Sequence, residues 1–356
     1  MSLWRWADRI DSVPEKSRLS LGEGNTPVVR SRRLGPDAGL ANLWFKVEAA
    51  NPSGSYKDRF AAVAVSKMVA EGKQACVATS SGNTGAALAA YCARAGIECR
   101  IAIVEGAPSG KLLQMQAYGA QLIRVRGFGV DPQLTTRVFE YLQQLASQTN
   151  AALEISAYCY SPAGMSGVET IAFELAEQLP SPPDHVFCQA GGGGLTLAVA
   201  RGFQKCVEKR ELACMPKIEC VQPRGNATIA APLREGTAQA VAVNCTTKVS
   251  GLQVPSVLDG DEVVRACRAS GGTGHLVEDG EVYETQRRLA REEGLFCEPA
   301  AAVSVVAALR AARNGELAPE KTVVCLLTGS AFKDSPSLAN MAGPECPLLE
   351  LSELPW

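Results

Sequence analysis

An apolar run, HVFCQA (185–190), meets four consecutive glycines (191–194) that lead directly into LTLAVARGFQKC (195–206). An apolar strand turning through glycine into a helix is the join that α/β folds are built from. The same cadence recurs. ACVATS (75–80) runs through SGNTG into AALAAYCARAG (86–96), CRIAIV (99–104) precedes GKLLQMQAYGA (110–120), and QLIRVR (121–126) precedes a helical stretch from about Pro132 to Ser147. Further on, GVETIAFELAEQL (167–179) carries Ile171, Leu175 and Leu179 on one helical face. IECVQP (218–223) and TVVCLLTG (322–329) read as strands, and VYETQRRLAREEG (282–294) and AAAVSVVAALRAARNG (300–315) as helices. Short apolar strands alternating with helices predict an α/β protein with mostly parallel sheets covered on both faces. At about 150 residues per domain, 356 residues predict two domains.

Hydrophobic residues make up 46% of the chain and charged residues 20%, the balance of a globular protein with a large core. The net charge of −2 gives no electrostatic case for nucleic acid or an acidic membrane surface. No apolar run is long enough to span a bilayer. The N-terminus, MSLWRWADRIDS, lacks the apolar stretch of a signal peptide, so the expected compartment is the cytoplasm. The 13 cysteines are scattered without a CxxC and read as buried, reduced thiols. The two histidines, His185 and His275, lie far apart with no metal-ligand spacing, and no metal is expected.

Three loops and one lysine carry chemistry. Four adjacent glycines cost backbone entropy, and a close approach to an anion explains them: free amides and the positive end of a helix dipole cradle a phosphate. The dinucleotide pattern fails, because Thr196 and Leu197 stand where its third glycine is needed. A P-loop also fails, since GAPSGK (106–111) is one residue short and continues into Leu112. AGGGGL therefore suits a phosphate monoester. ATSSGNTGAA (78–87) offers the hydroxyls of Ser80, Ser81 and Thr84 and the amide of Asn83 to a carboxylate, and also reads as an ordinary helix cap. In LLTGSAFKD (326–334), Thr328 stands at the C-terminal end of an apolar strand, where open α/β sheets place ligands. In NPSGSYKDRF (51–60), Lys57 opens a helix among small polar residues. Together these are the parts of a pyridoxal 5'-phosphate site: an amine to join the aldehyde, a phosphate cradle, and polar partners for the ring.

Eight segments taken together resemble the threonine synthase family among the fold-type II pyridoxal phosphate enzymes: GEGNTP (22–27), NPSGSYKDR (51–59), SSGNTGAA (80–87), GKLLQMQAYGA (110–120), AGGGGL (190–195), SGLQVP (250–255), REEGLFCEPAAA (291–302) and LTGSAFKD (327–334). They run in family order across nearly the whole chain. The resemblance implies a tryptophan synthase β-like architecture, with Lys57 as the Schiff-base lysine and Asn83 on the ring hydroxyl. Gly191, Gly192, Gly193, Gly194 and Leu195 would form the phosphate loop, and Thr328 the partner of the pyridine nitrogen. Ser80, Ser81 and Thr84 would lie against a small amino-acid substrate, with Lys111 a further candidate substrate contact. It also implies a smaller domain at 51–164, a larger one from 1–50 plus 165–356, the cofactor between them, and a homodimer.

A neutral hydroxyl at the pyridine nitrogen holds that nitrogen protonated poorly, which favours elimination and replacement at the β or γ carbon over transamination. The family reaction turns O-phosphohomoserine and water into threonine and phosphate. The sequence departs from the family pattern in three places. The phosphate loop is GGGGL where asparagines are common. SAYCYSPAGMSGVET (156–170) holds no arginine or lysine where the family often has both. Ser330 stands where a histidine is frequent. Lys111, Lys248, Lys333 and Arg59 are the remaining cations that could meet a leaving phosphate. A serine or threonine ammonia-lyase, a β-replacement enzyme resembling cysteate synthase, and a non-catalytic ligand-binding homologue stay open as alternatives.

Overall fold

The computed structural model describes residues 2–80, 82–107, 109–343 and 346–353, with the side chains of 109–111 and 132 left aside. The strands are β1 (Val28–Arg30), β2 (Leu43–Val47), β3 (Ala75–Thr79), β4 (Glu98–Ile103), β5 (Gln121–Arg124), β6 (Ala151–Leu153), β7 (His185–Gln189), β8 (Lys217–Pro223), β9 (Gly274–Val277) and β10 (Val323–Leu327). They form two sheets. One is all parallel, in the order β5-β4-β3-β6. The other runs β1-β2-β10-β7-β8-β9 and is parallel except for the β1–β2 pair. The central strands HVFCQ and VVCLL are buried at every position, because helices cover both faces.

Most elements lie where the sequence places them, with shifted ends. GVETIAFELAEQL is split into Pro162–Val168 and Thr170–Gln178, with Glu169 between them in helical backbone geometry. The segment from 282 begins earlier, at Asp279, and widens into a π turn at Leu289–Glu293 that Gly294 closes at φ +69°.

The Lys57–Ala70 helix buries Phe60, Ala61, Ala62, Val63, Ala64 and Val65. Its close neighbour is the Pro162–Val168 helix, and two glycines permit the approach. A Cβ at Gly167 would stand 2.2 Å from the Arg59 carbonyl oxygen, and one at Gly164 would stand 2.6 Å from the Phe60 ring. Burying Phe60 alone contributes about 2–3 kcal/mol. These contacts set the axis of the helix whose first residue is Lys57.

Candidate active site

The turn before Lys57 is fixed by Asp58, whose carboxylate accepts from the Ser53 amide and, at 2.7 Å, from the Ser53 hydroxyl. Burial pushes the Asp58 carboxyl up to about 6. The same turn is sewn to the end of β10: Tyr56 N donates to the Thr328 carbonyl at 3.0 Å, and Ser330 N to the Gly54 carbonyl at 3.0 Å. Lys57 therefore starts its helix beside the strand end that carries Thr328. Its side chain is half-buried, and Nζ donates to Ser156 Oγ at 2.5 Å. Ser156 Oγ also lies 2.8 Å from Thr84 Oγ1. Loss of solvent around the amine lowers it to about 8, against the opposing charges of Glu298 and Asp259.

Ser156 also reaches the glycine loop, since its carbonyl oxygen lies 3.1 Å from where a Cβ on Gly194 would be. The loop runs from β7 into the Gly194–Glu208 helix, with Leu195 buried in its first turn. Gly193 has φ +100°, and a Cβ there would meet Val263 Cγ2 at 2.8 Å. A Cβ on Gly192 would meet Leu258 at 2.6 Å. Among the described residues, the amides of Gly191 to Leu195 donate to no backbone carbonyl. Next to the loop, Thr196 Oγ1 is buried without a partner. Asp259 N donates to the Gly192 carbonyl, and its carboxylate accepts from the Tyr158 and Cys159 amides at 2.8 and 3.1 Å. Asp259 thus ties the glycine loop to the segment that carries Ser156.

Asn83 opens the Asn83–Ala95 helix and donates through Nδ2 to both oxygens of Glu298, at 2.9 and 3.1 Å. Thr328 is buried. It accepts from Gln189 Nε2 at 2.9 Å and donates toward Glu298 Oε1 at 3.4 Å. Asn83, Glu298 and Thr328 thus form one polar chain beside Lys57: Asn83 and Thr328 follow the carboxyl ends of β3 and β10, and Glu298 stands at the N-cap of the Pro299–Arg313 helix.

Lys57, Thr84 and the glycine loop meet through Ser156, and Asn83 and Thr328 meet through Glu298. Ser80 has a different role, because its Oγ accepts from the Gly82 and Gly85 amides and caps the loop. Ser81 and the Lys111 side chain lie outside the described residues. Of the other candidate cations, Arg59 is excluded: it is fully buried between Glu48 and Glu174, with four donor–carboxylate contacts of 2.7–2.8 Å. Lys248 is exposed, its backbone tied to Asp279 and Tyr283. Lys333 does approach the site. Its Nζ donates to Gln114 Oε1 at 2.6 Å, and the charges of Glu298 and Asp58 act on it. Ser156, Asp259 and Gln189 carry no local sequence signal that marks them as site residues, and the EPAAA segment shows no role for Glu298. The two histidines, distant in sequence, converge on one carboxylate: His185 Nδ1 is 2.8 Å and His275 Nε2 3.2 Å from Glu219, which is held down to about 2 despite its burial.

Residues 19–329 match the model of a family described as "Pyridoxal-phosphate dependent enzyme". The chain is 32% identical to the threonine synthase of Methanocaldococcus jannaschii over 97% of its own length and 84% of that protein. It is also 32% identical to the threonine synthase of Halalkalibacterium halodurans, over 94% of this chain and 91% of that one. The chain belongs to the threonine synthase family. It is a fold-type II, pyridoxal phosphate-dependent lyase. Solved structures share the fold. A processed threonine deaminase isoform 2 from Solanum lycopersicum superposes with a TM-score of 0.75 at 20% identity, covering 95% of this chain and 92% of that one. A maize serine racemase gives 0.74 at 23%, covering 89% and 92%. No helix among the described residues is long and apolar enough to cross a membrane.

The site described above fits the family's cofactor. The loop presents amides that donate to no backbone carbonyl where a phosphate needs donors, side chains at Gly192 and Gly193 would collide with the packing behind it, and a desolvated amine lies one residue away through Ser156.

Proposed function

We propose that Lys57 is the lysine that carries pyridoxal phosphate, that Gly191–Leu195 hold its phosphate, and that the chain converts O-phosphohomoserine and water to threonine and phosphate. The observation that carries this reading is the Lys57 amine at about 8, bonded to Ser156, whose carbonyl borders Gly194. When bound, the cofactor supplies an electron sink for a carbanion at the substrate α-carbon. The rest falls to the chain's own groups. With its amine at about 8, roughly a tenth of Lys57 is neutral at pH 7, enough to accept a proton, while its conjugate acid returns one at the neighbouring carbon. The Ser156 and Thr84 hydroxyls orient Nζ between these transfers. Asn83, fixed by Glu298, and Thr328, fixed by Gln189, present a neutral amide and a neutral hydroxyl to the ring. Lys333 is the cation placed to receive the departing phosphate, because Gln114 and the Glu298 and Asp58 charges hold it at the site.

The proposed domains are 51–164 and 1–50 plus 165–356. In support, β3 to β6 all fall within the first range and the other six strands within the second. The division assigns Lys57 and Asn83 to one unit and the glycine loop and Thr328 to the other. The proposed assembly is a homodimer, which light scattering of the purified protein tests.

One observation favours a second reading. Residues 156–170 carry no cation, and Glu169 there is buried against Lys205 and Tyr158. Without those cations, a serine or threonine ammonia-lyase needs less of the site. Assaying a panel of phosphorylated and free hydroxy amino acids separates the two. The proposal expects phosphate and threonine from O-phosphohomoserine. Ammonia and keto acid from serine or threonine, with no phosphate released from any phosphorylated substrate, would overturn it.

A further inference from the structure

Cys76, Cys92 and Cys99 look unrelated in the sequence, yet the fold gathers them. Cys76 on β3 and Cys99 on β4 are register partners on adjacent parallel strands, so their side chains leave the sheet on one face. Cys92 comes from the Asn83–Ala95 helix, which packs on those strands. The three sulfurs lie within 4.8 Å of one another, and the residues are 0%, 0% and 5% exposed. The charges that bear most on the thiols are their own and that of Glu154, and none is a cation. Glu154 itself has Oε2 buried without a partner.

We propose that Cys76, Cys92 and Cys99 form a three-sulfur site for a thiophilic ion, and that a trivalent ion taken up as arsenite suits it best. Sulfur donors select soft ions. Among the described residues, no fourth histidine, cysteine or carboxylate joins the group, whereas structural zinc takes four ligands. An ion–sulfur bond of about 2.3 Å in the pyramid of a trivalent ion that keeps a lone pair puts sulfurs about 3.4 Å apart, so sulfurs that now lie within 4.8 Å need to close by at most about 1.5 Å. Charge decides between the remaining ions. An apolar core beside a carboxylate penalises net charge. Three thiolates and a trivalent ion sum to zero, whereas a divalent ion with three thiolates leaves −1. In the step itself, arsenous acid exchanges three hydroxides for three sulfurs. Three As–O and three S–H bonds break, three As–S bonds form, three waters leave, and no electrons are transferred.

Because the site is buried, the ion is taken up as the chain folds. The full chain is refolded with arsenite and a phosphine reductant, freed of excess, and its bound arsenic counted. About one arsenic per chain and a raised Tm are expected in the wild type. The same is expected for Cys214→Ala, which removes an exposed cysteine outside the cluster. Retention should fall to background in Cys76→Ala, Cys92→Ala and Cys99→Ala. Where a variant does not refold, alkylation of the wild type in denaturant that opens the ion-free protein gives the answer: arsenite should shield these three cysteines. No retained arsenic, undiminished retention in the cluster variants, or shielding confined to Cys159, Cys214 and Cys346 would overturn the site. A parallel cadmium arm tests the charge argument, which tighter retention of cadmium than of arsenite would overturn.

Discussion

Glu298→Gln tests the electrostatics of the site with little change in shape. Glu298 holds Asn83 through Nδ2 and is the first of the two charges that keep the Lys57 amine from falling further below its ordinary 10.5. Glutamine keeps an acceptor for Asn83 and removes the charge. Losing an opposite charge at short range lowers an amine by about 1–3 units. Lys57 is half-buried, so solvent screens part of the effect, and about one unit, or about 1.4 kcal/mol, is expected. The Lys57 amine then moves from about 8 to roughly 7, and its neutral fraction at pH 7 rises from roughly a tenth to about half. The assay strips the cofactor and follows its reattachment by absorbance across pH. Wild-type protein should show a rate that climbs with a midpoint near 8, and Glu298→Gln a midpoint about one unit lower. A midpoint that stays in place or rises would show that this charge does not act on Lys57.

Gly193→Ala forces a side chain into a φ of +100° and against Val263. At about 1–2 kcal/mol for the backbone and about 1–3 for overpacking, it should lower Tm and weaken cofactor retention in dialysis. Arg59→Ala leaves Glu48 and Glu174 buried without their shared cation, and denaturant titration should show a loss of about 3–5 kcal/mol. Lys333→Ala should lower kcat/KM for the phosphorylated substrate about ten- to a hundredfold, while cofactor attachment is unchanged. In acid, Glu174 and Glu219 are both held near 2, below the ordinary 4.5. Their contribution to stability is present above about 4.5 and is lost as pH falls toward 2, so Glu219→Gln should flatten the acid limb of the Tm–pH curve.

The glycine loop, Lys57 and SSGNT were legible in the sequence because their signals are local. Glycine runs, small polar residues and a strand end are confined to a few adjacent positions. Ser156 was not, since its meeting with Lys57 closes a separation of 99 residues. Nor was the role of Glu298, which reaches Asn83 across 215 residues. β7 and β10 read clearly because Val186–Cys188 and VVCLL are apolar runs, whereas the inner strand β2, LWFKV, is interrupted by Lys46 and gives no such signal. β1, β6 and β9 are only three or four residues long, too short to show a period, and they border the sheets. Arg59 had to wait for the structure, because only the fold brings Glu48 and Glu174 to its two sides.

Borohydride reduction of the purified protein supplied with pyridoxal phosphate, followed by peptide mass spectrometry, identifies the lysine that carries the cofactor. One reduced cofactor is expected on Lys57, and none in Lys57→Ala. A label on Lys333 or another lysine, or no label on any peptide, would contradict it.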